Sequence, residues 1–422
     1  MKVMVIGGGG REHAICRKLR ESPLVTELYC LPGNGGIEGD AVCVPIGAKE
    51  IPAQVEFARE HGIEYAVVAP DDPLAMGAVD ALTKAGIPCF GPDAKAAAIE
   101  SSKAFAKRLM AKYGIPTARC EIFTDAVSAL EYAETCPIPV VVKADGLALG
   151  KGVVIAQTRE EAKKALRAMM EEKVFGESGN CVVMEEFLTG PEVSVLAFTD
   201  GKTLVPMVSS MDHKRAGDGD TGLNTGGMGT IAPNPFYTPE VAKTCMETIF
   251  LPTIRAMAAE GRPFKGCLYF GLMVTPQGPK VIEYNCRFGD PETQVVLPLL
   301  KSDLFEIMRA VTEERLAEVN VEFSRGAACC VVLASAGYPG KYEGGKPISM
   351  SDEARAHTYV AGARRTENGL VTAGGRVLGV TAAADTLPAA VAEAYRLAGE
   401  VSFPGAFCRK DIGARALTAL KE

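Results

Sequence analysis

The first ninety residues constrain the fold most. Short β-rich runs, "KVMVI", "TELYCL", "AVCVPI" and "EYAVVAP", alternate with amphipathic stretches, "REHAICRKLR", "IPAQVEFARE" and "PLAMGAVDALTKAG". A strand, a crossover helix and a parallel strand join with one hand in nearly all sheets, so the alternation predicts a doubly wound parallel sheet. The turn after the first run, "GGGGREHA", does not complete a dinucleotide fingerprint. Reading G-x-G-x-x-G from Gly7 places Glu12 at the third glycine, and reading from Gly8 places His13 there. A tight strand-to-helix turn, or a helix N-terminus for some phosphate, fits better than a nicotinamide site.

The remaining length demands further cores. A chain of 422 residues predicts two to four domains. With 47% hydrophobic residues, 23% charged and 45 glycines it reads as globular, soluble and loop-rich. A net charge of −7 argues against a general nucleic-acid binder, which needs clustered Lys and Arg. The thirteen cysteines form no C-x-x-C pair and the four histidines are scattered, so no zinc ligand set is legible. Cys329 and Cys330, inside the apolar "AACCVVLAS", read as buried thiols of a protein in a reducing cytoplasm. The start "MKVMVIGGGG" has too short an apolar run for a signal peptide, and no run approaches the length of a membrane span.

In "VVKADGLALGKGVVIA" (141–156), Lys143 and Lys151 bracket a glycine-rich loop. It is not a Walker A loop: Gly146 and Gly150 are too close, Gly152 follows the lysine, and Val153, Val154 and Ile155 announce a strand instead of a helix. The unit reads as a hairpin with a positive tip. Before it, 94–113 reads as one helix ended by Gly114 and Pro116. After it come a helix near 159–173 and the strands "CVVMEEFLTG" and "EVSVLAFTD". The Gly-, Asp- and Asn-rich stretch 201–237 shows no periodicity, and so long a loop signals function. Its D-x-D at 218–220 lacks the rest of a calcium loop. A helix (239–260), a strand pair (266–274 and 279–285), another helix (302–317) and a last α/β piece complete the chain.

The second informative stretch is "VIEYNCRFGDPE" (281–292). Alternation along a strand places Glu283, Asn285 and Arg287 on one face, with Ile282 and Tyr284 on the other. A carboxylate and an amide oxygen suit Mg²⁺, which takes one or two protein ligands beside phosphate oxygens and water. Arg287 could fork a carboxylate or phosphate. A surface strand with a structural ion pair is the alternative.

These parts, together with "GGREHA" (9–14), "PGNGG" (32–36), "ESSKAFAK" (100–107), "EEFLTGPEVS" (185–194), "DHKRAGDGDTGLNTGGMG" (212–229), "IEYNCRFGDPETQ" (282–294) and "FCRKDIG" (407–413), resemble the ATP-grasp superfamily. Within it they resemble the phosphoribosylamine–glycine ligase (glycinamide ribonucleotide synthetase) family. The matching stretches span essentially the whole chain in one order. The resemblance implies an N-terminal doubly wound α/β domain (1–100) and an ATP-grasp domain of two α+β subdomains (101–325, lid about 118–188). A small C-terminal α/β domain (326–422) would follow. It further implies ligation of glycine to 5-phosphoribosylamine with ATP, through glycyl phosphate, in de novo purine synthesis. Mg²⁺ or Mn²⁺ would assist in a cytoplasmic, monomeric enzyme without nucleic-acid or membrane partners. The nearest alternative is another ATP-grasp carboxylate–amine ligase, which need not carry "GGREHA" or "FCRKDIG".

Carried over by position, Lys103 and Lys143 resemble the phosphate-contacting lysines, and Gly150, Lys151 and Gly152 the mobile lid. Glu185, Glu186 and Leu188 fall on the adenine-binding strand, and Glu192 at the ribose. Glu283 and Asn285 match the metal ligands, and Lys143 and Arg287 are the catalytic candidates. Gly9, Gly10, Asp212, Asn224, Gly226, Arg287 and Asp290 lie in stretches used around the acceptor substrates. His213 is expected to be a loop hydrogen-bonder. Two departures, Gly8 in place of the family's Asn or Ser and Asp71 in place of its Glu, fall near the expected ribosylamine site, away from the ATP clamp.

Overall fold

The computed structural model describes residues 1–147 and 152–421. Its N-terminal strands form a five-stranded parallel sheet in the order Val42–Cys43, Glu27–Pro32, Lys2–Gly7, Tyr65–Val68, Cys89–Phe90. The first strand shows why the sheet is covered on both faces. Met4 and Ile6 enter one core, which runs on to Leu268 and Phe270, while Val3 and Val5 enter another with Phe198 and Phe305. Each face therefore welds this sheet to later parts of the chain.

The stretch expected as one helix over 94–113 is two, Ala94–Ser101 and Lys103–Tyr113. Ser102 interrupts them in an extended conformation and caps the second, its side chain accepting from Phe105 N. Gly114, at φ 67°, closes that helix as the sequence suggests.

A four-stranded antiparallel sheet follows, ordered Cys120–Phe123, Val182–Glu186, Val140–Ala144, Val153–Ala156. Helices Ala126–Ala133 and Arg159–Leu166 cover it, with a separate core that includes Ala129, Val142, Leu166 and Val182. The expected hairpin is present, Lys143 facing Val153. Gly150 and Lys151 lie outside the described residues. Next to it stands a sheet of Leu204–Pro206, Glu192–Thr199, Gly266–Thr275 and Gly278–Asn285, again antiparallel.

The 201–237 stretch is more structured than its composition suggests. Met211–Asp212 and Gly229–Ala232 join a sheet with Ala327–Ser335, Arg376–Ala384 and Thr358–Val360, while Arg215–Gly217 and Thr221–Asn224 make a small hairpin. Cys329 and Cys330 are fully buried on the strand at its centre. The 302–317 helix shortens to Leu304–Thr312, capped by Asp303. The 159–173 and 239–260 helices carry π-helical turns at Arg167–Glu171 and Met246–Phe250. Among the described residues no helix is long and apolar enough to cross a membrane.

Candidate active site

Two elements converge on a cluster of cations. Lys103 opens the Lys103–Tyr113 helix and Lys107 stands one turn further along the same face. Lys143 comes from the Val140–Ala144 strand, and Glu185 from its neighbour. Lys143 Nζ lies 3.0 Å and Lys107 Nζ 3.1 Å from the same oxygen, Glu185 Oε2. The side chains of all three are at most 6% exposed. Glu185 Oε1 is buried with no partner among the described residues. Lys103 Nζ donates to Gly146 O at 2.9 Å. Burial pushes the pKa of both Lys103 and Lys107 down. Glu185 pairs with two of the ammonium groups and Glu283 and Asp145 act on Lys103 through space, so an incoming phosphate would meet cations already held in place by carboxylates.

Asp145, inside the glycine-rich loop, is the brace the sequence reading missed. Its carboxylate accepts from Ser102 Oγ (3.1 Å) and Ala104 N (2.6 Å), and its carbonyl from Lys103 N (3.2 Å). The loop base and the helix N-terminus are thereby one unit. Gly152 is buried, its carbonyl accepting from Ala144 N at 2.9 Å.

The acid strand runs alongside. Glu283 faces Gly271 and Asn285 faces Tyr269, but the register slips between Gly271 and Leu272. The bulge corrects the expected alternation: Ile282 lines a small pocket together with Glu283, while Val281 and Tyr284 on either side are buried. Glu283 Oε1 is 3.1 Å from Lys214 Nζ. Lys214, then Lys143 and Lys103, hold the Glu283 carboxyl down at a pKa of about 2 against the cost of its burial. An ionised carboxylate with an amide two residues on is a hard-oxygen pair that fits a divalent cation sharing phosphate ligands.

Arg287 turns to the N-terminal domain. Its Nη2 is 3.0 Å from Glu100 Oε1 and 3.9 Å from Asp71 Oδ2, and Glu100 Oε2 accepts from Cys286 N at 2.7 Å. Burial raises the Glu100 pKa. Asp71 is therefore a neighbour of a catalytic candidate. At Gly8 a Cβ would lie 2.5 Å from the Gly33 carbonyl oxygen, so the tight approach of the two glycine loops leaves no room for a side chain.

Gly9, Gly10, Gly226 and Asp290 are brought together. A Cβ on Gly9 would sit 3.4 Å from Asp290 Oδ2, and Asp290 Oδ1 accepts from Gln294 Nε2 at 2.8 Å. Arg376 ties them: its Nη1 donates to Gly226 O and Asp290 O, both at 2.7 Å. Asp212 and Pro291 both lie against Gly227. Burial, then Glu292, raises the Asp212 pKa well above the usual range. Tyr269 OH donates to Glu292 Oε1 at 3.0 Å and shares a 2.7 Å hydrogen bond with Ser194 Oγ. Asn224 stands apart, on the Arg215–Gly217/Thr221–Asn224 hairpin.

The expected adenine strand is mixed. Glu186 is turned outward, 3.2 Å from Lys280 Nζ, and its Oε1 accepts from Arg119 N. Leu188 is half-buried and Glu192 exposed, the latter lining the small pocket with Glu283 and Lys214. His213 is a hydrogen-bonder, as expected: Nδ1 is 3.1 Å from Gly229 O, and Gly413 N donates to Nε2 at 3.1 Å. Lys107, Asp145, Glu100, Glu292 and Arg376 were not foreseen. Glu100, Lys107, Asp145 and Glu292 lie inside the quoted stretches, and Lys107 also keeps a four-residue spacing from Lys103, whereas Arg376 lies in none.

Three family descriptions match this chain. They are the phosphoribosylglycinamide synthetase N domain over residues 1–100, its ATP-grasp (A) domain over 101–293 and its C domain over 328–415. The chain belongs to the phosphoribosylglycinamide synthetase family. A relative from Chlorobaculum tepidum, named phosphoribosylamine–glycine ligase, is 47% identical over 425 residues, covering 99% of this chain and all of that one. The crystal structure of the Thermotoga maritima phosphoribosylamine–glycine ligase matches with a TM-score of 0.87 at 35% identity, over 98% of this chain and 100% of that one. Biotin carboxylase from Campylobacter jejuni, at 15% identity and a TM-score of 0.72, covers 96% of this chain and 92% of its own. That likeness shows the ATP-grasp fold alone. The three-part α/β architecture is thus the family's.

Proposed function

We propose that the chain joins glycine to 5-phosphoribosylamine at the expense of ATP, giving glycinamide ribonucleotide, ADP and phosphate. A glycine carboxylate repels an amine and has no leaving group, so it must first be activated. In-line attack of its oxygen on the γ-phosphorus expels ADP and gives glycyl phosphate. The ribosylamine nitrogen then attacks the acyl carbon, phosphate leaves, and the nitrogen loses a proton. Such transfer needs positioned charge and little covalent help from the protein.

Lys103 and Lys143 would meet the phosphates, and Gly152 would stand at the base of the lid whose tip holds Gly150 and Lys151. Glu283 and Asn285 would hold Mg²⁺ or Mn²⁺, which supplies neutralisation of charge on the transferring group. Backbone groups near Glu185, Glu186 and Leu188 would read adenine, and Glu192 the ribose. Arg287, fixed by Glu100 and Asp71, would orient the acceptor carboxylate or its phosphate. Gly9, Gly10, Asp212, Asn224, Gly226 and Asp290 would surround the acceptors. The division at about residues 100 and 325, the lid over 118–188, a cytoplasmic location and a monomeric state belong to the same reading.

The observation that carries it is the buried lysine cluster beside an ionised Glu283. ADP formation dependent on both glycine and 5-phosphoribosylamine tests it; ADP release independent of either substrate would refute it.

A further inference from the structure

Lys107 has no role above, yet it is the most fully engaged cation of the cluster. Its side chain is 3% exposed, and its ammonium reaches Glu185 Oε2 at 3.1 Å, Thr117 Oγ1 at 2.7 Å and Ala118 O at 3.1 Å. Three donors meet three acceptors, so none is left for a ligand. Lys143, by contrast, has two protein partners among the described residues, Glu185 Oε2 and Ile282 O. One lysine is saturated and its neighbour is not.

The saturated one reaches across two sheets. Thr117 Oγ1 accepts from Lys107 and donates to Val281 O at 2.7 Å, and Val281 N donates to Pro116 O at 2.8 Å. The next carbonyl along, at Ile282, is taken by Lys143 Nζ at 3.1 Å. The bulge that aims Glu283 is therefore held on one flank through Thr117 and on the other by Lys143. Both anchors meet at Glu185 Oε2.

We propose that Lys107 is a positioning residue of the nucleotide site. It acts through Glu185 on Lys143 and through Thr117 on the bulge that presents Glu283, so that the lysine and the carboxylate address the same phosphates. Without it, Glu185 would draw Lys143 into an exclusive pair and the bulge would lose one support. The inference rests on the ATP reading above.

The test uses the full chain with Lys107→Met and Thr117→Val. Calorimetry gives the Kd for MgADP, and steady-state assays give KM for ATP and glycine and the Mg²⁺ needed for half-maximal rate. Lys107→Met should weaken MgADP binding and raise the ATP KM by about tenfold or more, and raise the Mg²⁺ requirement. The glycine KM should stay within about twofold. Thr117→Val should move the same quantities in the same direction by a smaller factor. Wild-type MgADP affinity in Lys107→Met overturns the proposal, and so does an equal loss for ATP and glycine, which a merely structural role gives. If Lys107→Met does not fold, an unchanged MgADP Kd and Mg²⁺ requirement in Thr117→Val overturn it alone. Unmutated chain that binds MgADP but forms no ADP with glycine and ribosylamine fails the ligase reading instead, and the calorimetry still decides Lys107.

Discussion

Lys214 Nζ stands 3.1 Å from Glu283 Oε1, so the carboxylate proposed to hold a metal is already paired with a cation of the chain. The two side chains are 39% and 34% exposed, so water and salt screen the pair. An exposed pair of this kind is worth about 1 kcal/mol or less. A divalent ion bound with nucleotide phosphates can displace the lysine at little cost. The pair keeps Glu283 ionised and oriented until then.

Glu283→Gln should leave folding nearly untouched and disable turnover. It removes the charge but keeps the shape, so the stability loss should be no more than the roughly 1 kcal/mol of a screened pair. We expect a large fall in kcat and a higher Mg²⁺ requirement. Thermal melts and a Mg²⁺ titration on one preparation separate this from a structural ion pair, whose loss would lower the melting temperature and spare kcat.

Lys143→Ala should damage ATP use far more than glycine use. Loss of one charge-assisted contact is worth about 1.5–3 kcal/mol, or roughly ten- to a hundredfold in kcat/KM. Glu185 keeps Lys107 as a partner in the variant, so the buried carboxylate is not stranded. An ATP kcat/KM equal to that of the unmutated chain would remove Lys143 from the site.

How much of this was legible depended on the reach of each interaction. The hairpin around Lys143 and the Gly278–Asn285 strand were readable, because β-branched runs and glycines are local signals. The break at Ser102 was missed: a serine followed by a helical run is a capping signal, but the alanine-rich flanks hid it. The bulge at Ile282 was not legible. It depends on Gly271, which lacks a side chain opposite Glu283, and on Lys143 from another sheet. Arg376 meets Asp290 across 86 residues of sequence, and no spacing rule announces such a contact.

Glu100→Gln should cost more than Asp71→Asn. Glu100 is 7% exposed and holds Arg287 at 3.0 Å, whereas Asp71 is 22% exposed and 3.9 Å away. Leaving one partner of a buried pair uncompensated costs about 3–5 kcal/mol. Denaturant titration of the two variants should rank them in that order; a larger loss in Asp71→Asn would contradict this assignment of Arg287's main partner.

Acid should weaken the fold through its buried histidines. His213 donates from Nδ1 and accepts at Nε2, which only a neutral ring can do. Burial, then Arg409, lowers its pKa below 6.5. Burial likewise lowers that of His13, whose Nδ1 accepts from Val360 N. The unfolded chain takes up these protons at about pH 6.5 while the folded chain resists, so stability is complete above that pH and declines below it. His213→Gln should make the fall in melting temperature from about pH 7 to pH 5 shallower without abolishing it, because His13 remains. A slope equal to that of the unmutated chain would show that His213 is not a source of the linkage.

The segment "FCRKDIG" should serve the acceptor side of the site. Arg409, its side chain 2% exposed, pairs with Asp220 at 2.8 Å and with Asp411 at 2.8 Å, and donates to Arg215 O at 3.2 Å. Lys410 N donates to Asp218, Gly219 N to Asp411 Oδ2, and Gly413 N to His213. The C-terminal segment thus grips the Arg215–Gly217/Thr221–Asn224 hairpin at its 218–220 turn and at Arg215. Asn224, proposed to face the acceptors, sits at the end of that hairpin. Arg409→Met would free the hairpin while leaving Asp220 and Asp411 partly solvated, so the stability loss should be moderate, about 1–3 kcal/mol. The kinetic effect should be selective, because none of these contacts touches Lys143 or Glu283. We expect higher KM values for glycine or 5-phosphoribosylamine, an unchanged KM for ATP, and faster proteolytic cleavage within 218–223. A rise confined to the ATP KM would mean that the segment serves the nucleotide and not the acceptor loop.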